Sequence, residues 1–288
     1  MPGARTRVPR RGTFPGRRDA RPGGRDGRPA VTYVNPLLER WSSGGAVLAT
    51  WLTVPDALVA ELLASCGWDA IIIDQQHGTV GPSEVATLAM GIQAGGAWPL
   101  TRVPPRDPAA IGRSLDAGVL GIVVPMIDTP DDAADAAAAY RYGTRGRRSY
   151  GPIRGAIQAH STDPLDLESA ALIPQIETAA GLAVVGEIAS VPGVDALLVG
   201  PADLALALDV PVTAALRTPE QAERHALAVT RVRAACERAG IVAGIHTLGG
   251  DAAHARLAEG FRFVSVATDA AFLRVEATRA LRLARGDE

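Results

Sequence analysis

Glu177 and Asp203 are the residues most able to do chemistry together, because each stands just past a short apolar run, Ala171 to Ile176 and Ala196 to Val199. Successive parallel strands of a barrel deliver such residues to one rim, where two carboxylates can share a hard cation. The chain contains no lysine, and all 29 of its basic residues are arginine. Arginine stays protonated and cannot form a Schiff base, so carbonyl chemistry here requires a metal or acid/base groups. With no cysteine or histidine cluster at zinc spacing, the pair favours Mg2+ or Mn2+, which take oxygen ligands and leave positions for water or substrate.

The elements that must position these acids follow a regular alternation. Strands are predicted at Ala46 to Leu52, Asp69 to Asp74, Trp98 to Val103, Val119 to Pro125, Ala171 to Ile176, Ala196 to Val199, Ile241 to His246 and Phe261 to Val266. Helical patterns fall between them, at Asp56 to Cys66, Ser83 to Gln93, Pro108 to Asp116, Asp131 to Tyr140, Ala202 to Leu206, Glu220 to Ala239, Asp251 to Glu259 and Ala271 to Arg285. Eight strands separated by helices predict a (β/α)8 TIM barrel, and no G-x-G-x-x-G follows a strand, which argues against a dinucleotide fold. Residues past the strand ends then form one ring: Asp74, His77, Arg102, Pro125, Gln175, Glu177, Asp203 and His246. A 2-oxo acid could chelate the cation, with Arg102 facing the oxygen that becomes an enolate or a carboxylate. Histidine is the side chain type whose ordinary pKa lies near neutrality, so His77 suits proton transfer, with Asp74 three residues earlier able to orient its ring. Gly200 and Pro201 fit a tight turn into the short helix from Ala202, whose first N–H groups could receive a substrate carboxylate.

Composition bounds the rest. At 288 residues and 47% hydrophobic, the chain can bury one large core, since a single barrel takes about 250 residues. Residues 1–30 hold nine arginines, two acids and almost no large apolar side chains, so they are expected to be a disordered basic extension ahead of one domain at 31–288. This tail could be a solvated arm or the product of an upstream start codon, and a nucleic-acid role is the less favoured reading. No segment reads as a secretory signal or a transmembrane span, so a cytoplasmic protein is expected. Cys66 and Cys236 read as buried structural thiols. The polar stretch from Gly143 to Pro164, with Arg145, Arg147 and Arg148, could be a second anion site, a lid over the rim or a solvated loop.

The motifs Ile-Asp-Gln-Gln-His-Gly (73–78), Thr-Arg-Val-Pro (101–104), Val-Pro-Met (124–126), Gln-Ile-Glu-Thr (175–178) and Gly-Pro-Ala-Asp-Leu (200–204) run in an order that resembles the class II pyruvate aldolases of the HpcH/HpaI, or 4-hydroxy-2-oxoheptanedioate aldolase, family. The resemblance covers nearly everything after residue 45. It implies that Glu177 and Asp203 ligate Mg2+ or Mn2+, with Co2+ also possible, and that neither a nucleotide nor pyridoxal phosphate is used. It further implies that Arg102 contacts the keto oxygen, that His77 with Asp74 handles the proton, and that Gln175 with the backbone of Gly200, Pro201 and Ala202 holds the pyruvate part. The expected reaction cleaves a 4-hydroxy-2-oxo acid into pyruvate, or a close analogue, and an aldehyde. Oxaloacetate decarboxylation and citryl-type lyase chemistry use the same enolate, and a silent binding barrel is a third reading. A hexamer, built as a trimer of dimers with exchanged C-terminal helices, is also implied. One position departs from the family: Gln76 stands before His77 where glutamate is common, which removes a charge and points to altered aldehyde preference or rate.

Overall fold

A computed structural model of the chain describes residues 33–286, so the expectation of a disordered extension at 1–30 lies outside the described residues. The described elements run α1 (Pro36–Ser42), β1 (Val47–Leu52), α2 (Ala57–Ser65), β2 (Ala70–Asp74), α3 (Val85–Ala94), β3 (Trp98–Arg102), α4 (Pro108–Asp116), β4 (Gly121–Val124) and α5 (Pro130–Tyr140). They continue with α6 (Ile153–Ala159), α7 (Pro164–Leu167), β5 (Ala171–Ile176), α8 (Ala179–Ala183), α9 (Val185–Ala189), β6 (Ala196–Val199), α10 (Pro201–Ala207), α11 (Pro219–Ala239), β7 (Val242–Thr247), α12 (Gly250–Ala258), β8 (Phe263–Thr268) and α13 (Asp269–Arg285). All strands pair in parallel and in sequence order, and β8 returns to β1 to close the barrel. The fold is the (β/α)8 barrel that the alternation of apolar runs predicts.

Period-2 alternation divides each strand between two cores. Val47, Ala49, Ala70, Ile72, Leu100, Val123, Ala171, Ile173, Ala196, Leu198 and Phe263 fill the barrel interior. Ile71, Ile73, Ile122, Leu172, Leu197 and Val264 pack outward against the helices. Because both faces are buried, these strands are nearly unbroken apolar runs, which is why they are visible in sequence. Small residues appear where the interior is crowded: a Cβ on Gly244 would lie 2.9 Å from Cδ1 of Phe263. Helix starts are set by side-chain caps. Asp56 accepts from the Leu58 and Val59 N–H groups, and Thr129 and Thr218 form capping boxes with Asp132 and Gln221.

Helix α1, which the apolar pattern does not announce, closes the N-terminal end of the barrel. Asn35 donates to the carbonyls of Leu120 and Ser169, both at 2.8 Å, and Trp41 meets the Phe263 ring edge-on at 5.6 Å. Two short helices, α8 and α9, also fill the β5 to β6 connection, for which no helix is predicted from sequence.

The stretch from Gly143 to Pro164 departs from the expectation of a lid over the rim. It joins the end of α5 to the start of β5 and contains α6, so it lies at the N-terminal end of the strands, opposite the rim. Its arginines are tied down there: Arg148 reaches Asp116 at 2.7 Å and the Leu167 carbonyl at 3.0 Å, Arg145 reaches Glu168 at 2.6 Å, and Arg147 reaches Asp135 at 2.8 Å. The cysteines also divide. Cys236 is buried as expected, but Cys66 is exposed, because it caps the end of α2 where the chain turns away from the core. Among the described residues, no helix is long and apolar enough to cross a membrane.

Candidate active site

The interior columns of the barrel change from apolar to polar at their C-terminal ends. Ala49 is followed inward by Trp51, Ile72 by Asp74, Leu100 by Arg102, Ile173 by Gln175 and Glu177, Leu198 by Gly200, and Phe263 by Ser265. Period 2 therefore sets these polar groups side by side as the uppermost layer of the interior.

One half of this layer is a clamped cation. Arg102 donates from Nε to Oδ1 of Asp74 at 3.0 Å and from Nη2 to Oδ2 at 2.6 Å, a bidentate pair with both residues buried. The guanidinium carbon lies 4.3 Å from the centre of the Trp51 ring, so an aromatic face supports the charge that Asp74 orients. The Asp74 carboxylate also accepts from the backbone N–H groups of Gln76 and His77, at 3.1 and 3.3 Å. This corrects the expectation that Asp74 orients the His77 ring. Its oxygens are committed to Arg102 and to the turn backbone, so it positions the loop that carries His77, whose side chain is exposed at the rim.

The other half is acidic. Glu177 is 2% exposed; its Oε1 accepts from the Met126 N–H at 2.9 Å, and its Oε2 from the Gln175 amide. Met126 reaches that carboxylate from a left-handed backbone, φ 56°, just past β4. Burial pushes the Glu177 carboxyl above its ordinary range; the Asp203 carboxylate adds to this, while the Met126 N–H, Gln175 and Arg102 oppose it. Asp203 lies in the first turn of α10 and is exposed, so the pair spans from the barrel interior to solvent. Gly200 leaves room for the side chains of Glu177 and Gln175. A Cβ there would lie 2.6 Å from Oε2 of Glu177 and 2.7 Å from Nε2 of Gln175. The turn is further held by buried His225 of α11, whose Nε2 lies 2.9 Å from the Pro201 carbonyl oxygen.

These residues fit a divalent ion. The donors are hard oxygens, Oε1 of Gln175 is buried with no hydrogen-bond partner beside Glu177, and the carboxyl of Glu177 is destabilised as an anion until a cation meets it. Among the described residues, no group of three or more His, Cys, Asp or Glu side chains is arranged to hold a metal ion.

The structure thus brings Asp74, Arg102, Gln175, Glu177 and Gly200 into one layer and places His77, Pro201, Ala202 and Asp203 at its edge. Sequence reasoning passed over Trp51 and Ser265. Trp51 stands one residue before the end of the first strand, just as Gln175 stands one before the end of the fifth, so the rim rule could have found it. Ser265 had no such signal, because it lies inside its strand. Pro125 lies just past β4 and precedes Met126, whose N–H meets Glu177.

A closed parallel barrel whose C-terminal rim gathers an acid pair, a clamped arginine and a histidine defines a (β/α)8 enzyme working on a small molecule at that rim. The profile of the HpcH/HpaI aldolase/citrate lyase family matches residues 48–275. The chain belongs to this family and is an enzyme of the lyase type. It is 39% identical over 253 residues to a hydroxypyruvate/pyruvate aldolase of Rhizorhabdus wittichii, covering 88% of this chain and 99% of that protein. A 4-hydroxy-2-oxovalerate aldolase of Rhodococcus jostii is 32% identical, covering 82% and 90% of the two chains. Among solved structures, a family member from Burkholderia cenocepacia superposes with a TM-score of 0.77 at 32% identity, covering 88% of this chain and all of that one.

Proposed function

We propose that this protein is a divalent-metal-dependent aldolase that cleaves 4-hydroxy-2-oxo acids into pyruvate, or a close 2-oxo acid, and an aldehyde, and that it also runs in the synthetic direction. The observation that carries the reading is the acid pair: buried Glu177, packed against Gly200 and Gln175, is close enough to Asp203 for that carboxylate to push its own carboxyl up. Glu177 and Asp203 would hold Mg2+ or Mn2+. Bound there, the cation supplies positive charge that offsets the negative charge developing on the substrate's keto oxygen.

The remaining work falls to the chain. Arg102 donates to the same keto oxygen from a site where Asp74 and Trp51 restrict its movement. Gln175 and the N–H groups at the start of α10 hold the carboxylate end. His77, exposed on the rim, takes the proton of the 4-hydroxyl through a water, the C3–C4 bond breaks to release the aldehyde, and C3 of the enolate is then protonated. Gln76 beside His77 is a neutral amide whose buried Oε1 has no partner, so it can still receive a hydrogen bond from water. The unit we assign to this activity is residues 31–288. A homo-oligomer, with a hexamer as the expected state, is supported by α13, whose Leu273, Val275, Leu281 and Leu283 are all at least half exposed on one chain.

The test is pyruvate release from a panel of 4-hydroxy-2-oxo acids, with and without EDTA, alongside Glu177→Gln. Turnover should disappear with either treatment and return to the wild type on adding Mg2+ or Mn2+. Turnover that survives both chelation and the substitution refutes the metal-dependent reading.

A further inference from the structure

His246, like Ser265, is a polar residue of the rim for which the mechanism above has no use, and its contacts say what it does. It follows Gly244 on the inner face of β7, and its Nδ1 lies 3.1 Å from Nε1 of Trp51 and 3.1 Å from Oγ of Ser265. The indole also donates to Oγ of Ser265 at 3.0 Å, so three side chains from β1, β7 and β8 close a triangle. An indole N–H can only donate, so Nδ1 must be the acceptor and a neutral ring carries its proton on Nε2. Burial, reinforced by the nearby Arg102 charge, pushes the His246 imidazole down to about 4, with the Ser265 contact and Asp74 opposing; the ring is therefore neutral near pH 7.

The backbone is shaped around this contact. The β1 to β8 register shifts between Ala49 and Trp51, and Ala267 adopts a left-handed φ of 47° beside the shift. Irregularities of this kind re-aim a side chain. Here the extra residue lies on β8, just past Ser265, and on the facing strand Trp51, 4% exposed, carries Arg102 on its ring face.

We propose that His246 is a positioning residue for Arg102: with Ser265 it pins the Trp51 indole, and the pinned ring and Asp74 together hold the guanidinium in place. What Arg102 touches rests on the aldolase reading; the mechanical link from His246 to Arg102 does not.

The test uses the full-length protein and the variants His246→Phe, which keeps an aromatic ring but loses the acceptor, His246→Gln, which restores one, Trp51→Phe and the His246/Trp51 double variant. The 1H–15N indole resonance of Trp51, assigned by its loss in Trp51→Phe, should move upfield in His246→Phe and return toward the wild-type position in His246→Gln, and the Arg102 Nε–H resonance should follow. His246→Phe should lower kcat by about ten-fold, the effect of a single lost hydrogen bond, with Mn2+ affinity unchanged. The double variant should be no slower than Trp51→Phe alone, because both act through one ring. Unmoved Trp51 or Arg102 resonances in a folded His246→Phe protein, or losses that multiply in the double variant, overturn the proposal. If His246→Phe does not fold, His246→Gln and Ser265→Ala are read against the same resonances. A wild type that is inactive with every divalent metal would refute the aldolase reading and leave the resonances to decide this one.

Discussion

Gly200→Ala puts the proposed cation site under a defined load. The backbone at this position has φ −92° and ψ 89°, so alanine meets no left-handed strain, and the whole effect comes from one methyl group. That methyl would lie 2.6 Å from Oε2 of Glu177, 2.7 Å from Nε2 of Gln175 and 3.0 Å from Cβ of Glu177. Real Cβ atoms do not approach so closely, so Glu177 and Gln175 must rotate away from each other. Inserting a methyl into a packed site costs about 1–3 kcal/mol. Because the neighbours that give way are the side chains proposed to hold the cation and the 2-oxo acid, this cost should fall on binding, weakening Mn2+ by roughly five- to a hundred-fold. Mn2+ titration by electron paramagnetic resonance reads the affinity directly, with thermal melting as the control. The melting temperature should fall by about 2–4 °C for each kcal/mol of this cost, since Glu177, Gln175 and Gly200 are all buried. Wild-type Mn2+ affinity in Gly200→Ala would show that Glu177 and Gln175 do not form the cation site.

Two further outcomes follow from the buried charges. Asp74→Asn leaves Arg102 buried without its counterion, and breaking such a pair costs about 3–5 kcal/mol; urea unfolding should show this loss, and a change below about 1 kcal/mol would mean that the Trp51 face alone satisfies the guanidinium. For His246 the folded value, about 4, lies below the ordinary imidazole value of 6.5, so the unfolded chain binds more protons between them. Its contribution to stability is complete above pH 6.5 and is lost as pH falls toward 4, by an amount on the order of 3 kcal/mol. Glu177 and Asp195, both raised by burial, act with the opposite sign in part of this window. The diagnostic quantity is therefore the difference between wild type and His246→Phe, which should narrow from pH 7 to pH 4 in parallel melting curves; a difference that stays constant refutes the assignment.

Much of the barrel is legible in the chain because a parallel strand covered on both faces must be a short apolar run, and such runs mark all eight strands to within a few residues. Their ends nominate Glu177, Asp203, Arg102 and Gln175 by position alone. What escaped has a common character. Helix α1 buries only Leu37 and Trp41, too few for a periodic signal. For the Gly143 to Pro164 stretch a lid over the rim stays open beside an anion site and a solvated loop, because polarity and length do not say to which end of a barrel a connection belongs; that depends on its joining a helix end to a strand start. Cys66 ends a helical pattern, and only the path of the next turn decides that it faces water.

By itself, then, the order of residues determined the alternation of strands and helices, the rim on which the acids emerge, and, through the absence of lysine, the exclusion of Schiff-base chemistry. Tertiary structure alone decided who meets whom within that rim. Asp74 stands three residues from His77 yet pairs with Arg102, because β2 and β3 place those two side by side. Trp51 meets Ser265 and His246, 214 and 195 residues away, because closure brings β8 back to β1. Spacing along a chain sets the height at which a side chain leaves the barrel; only closure and register set its neighbours.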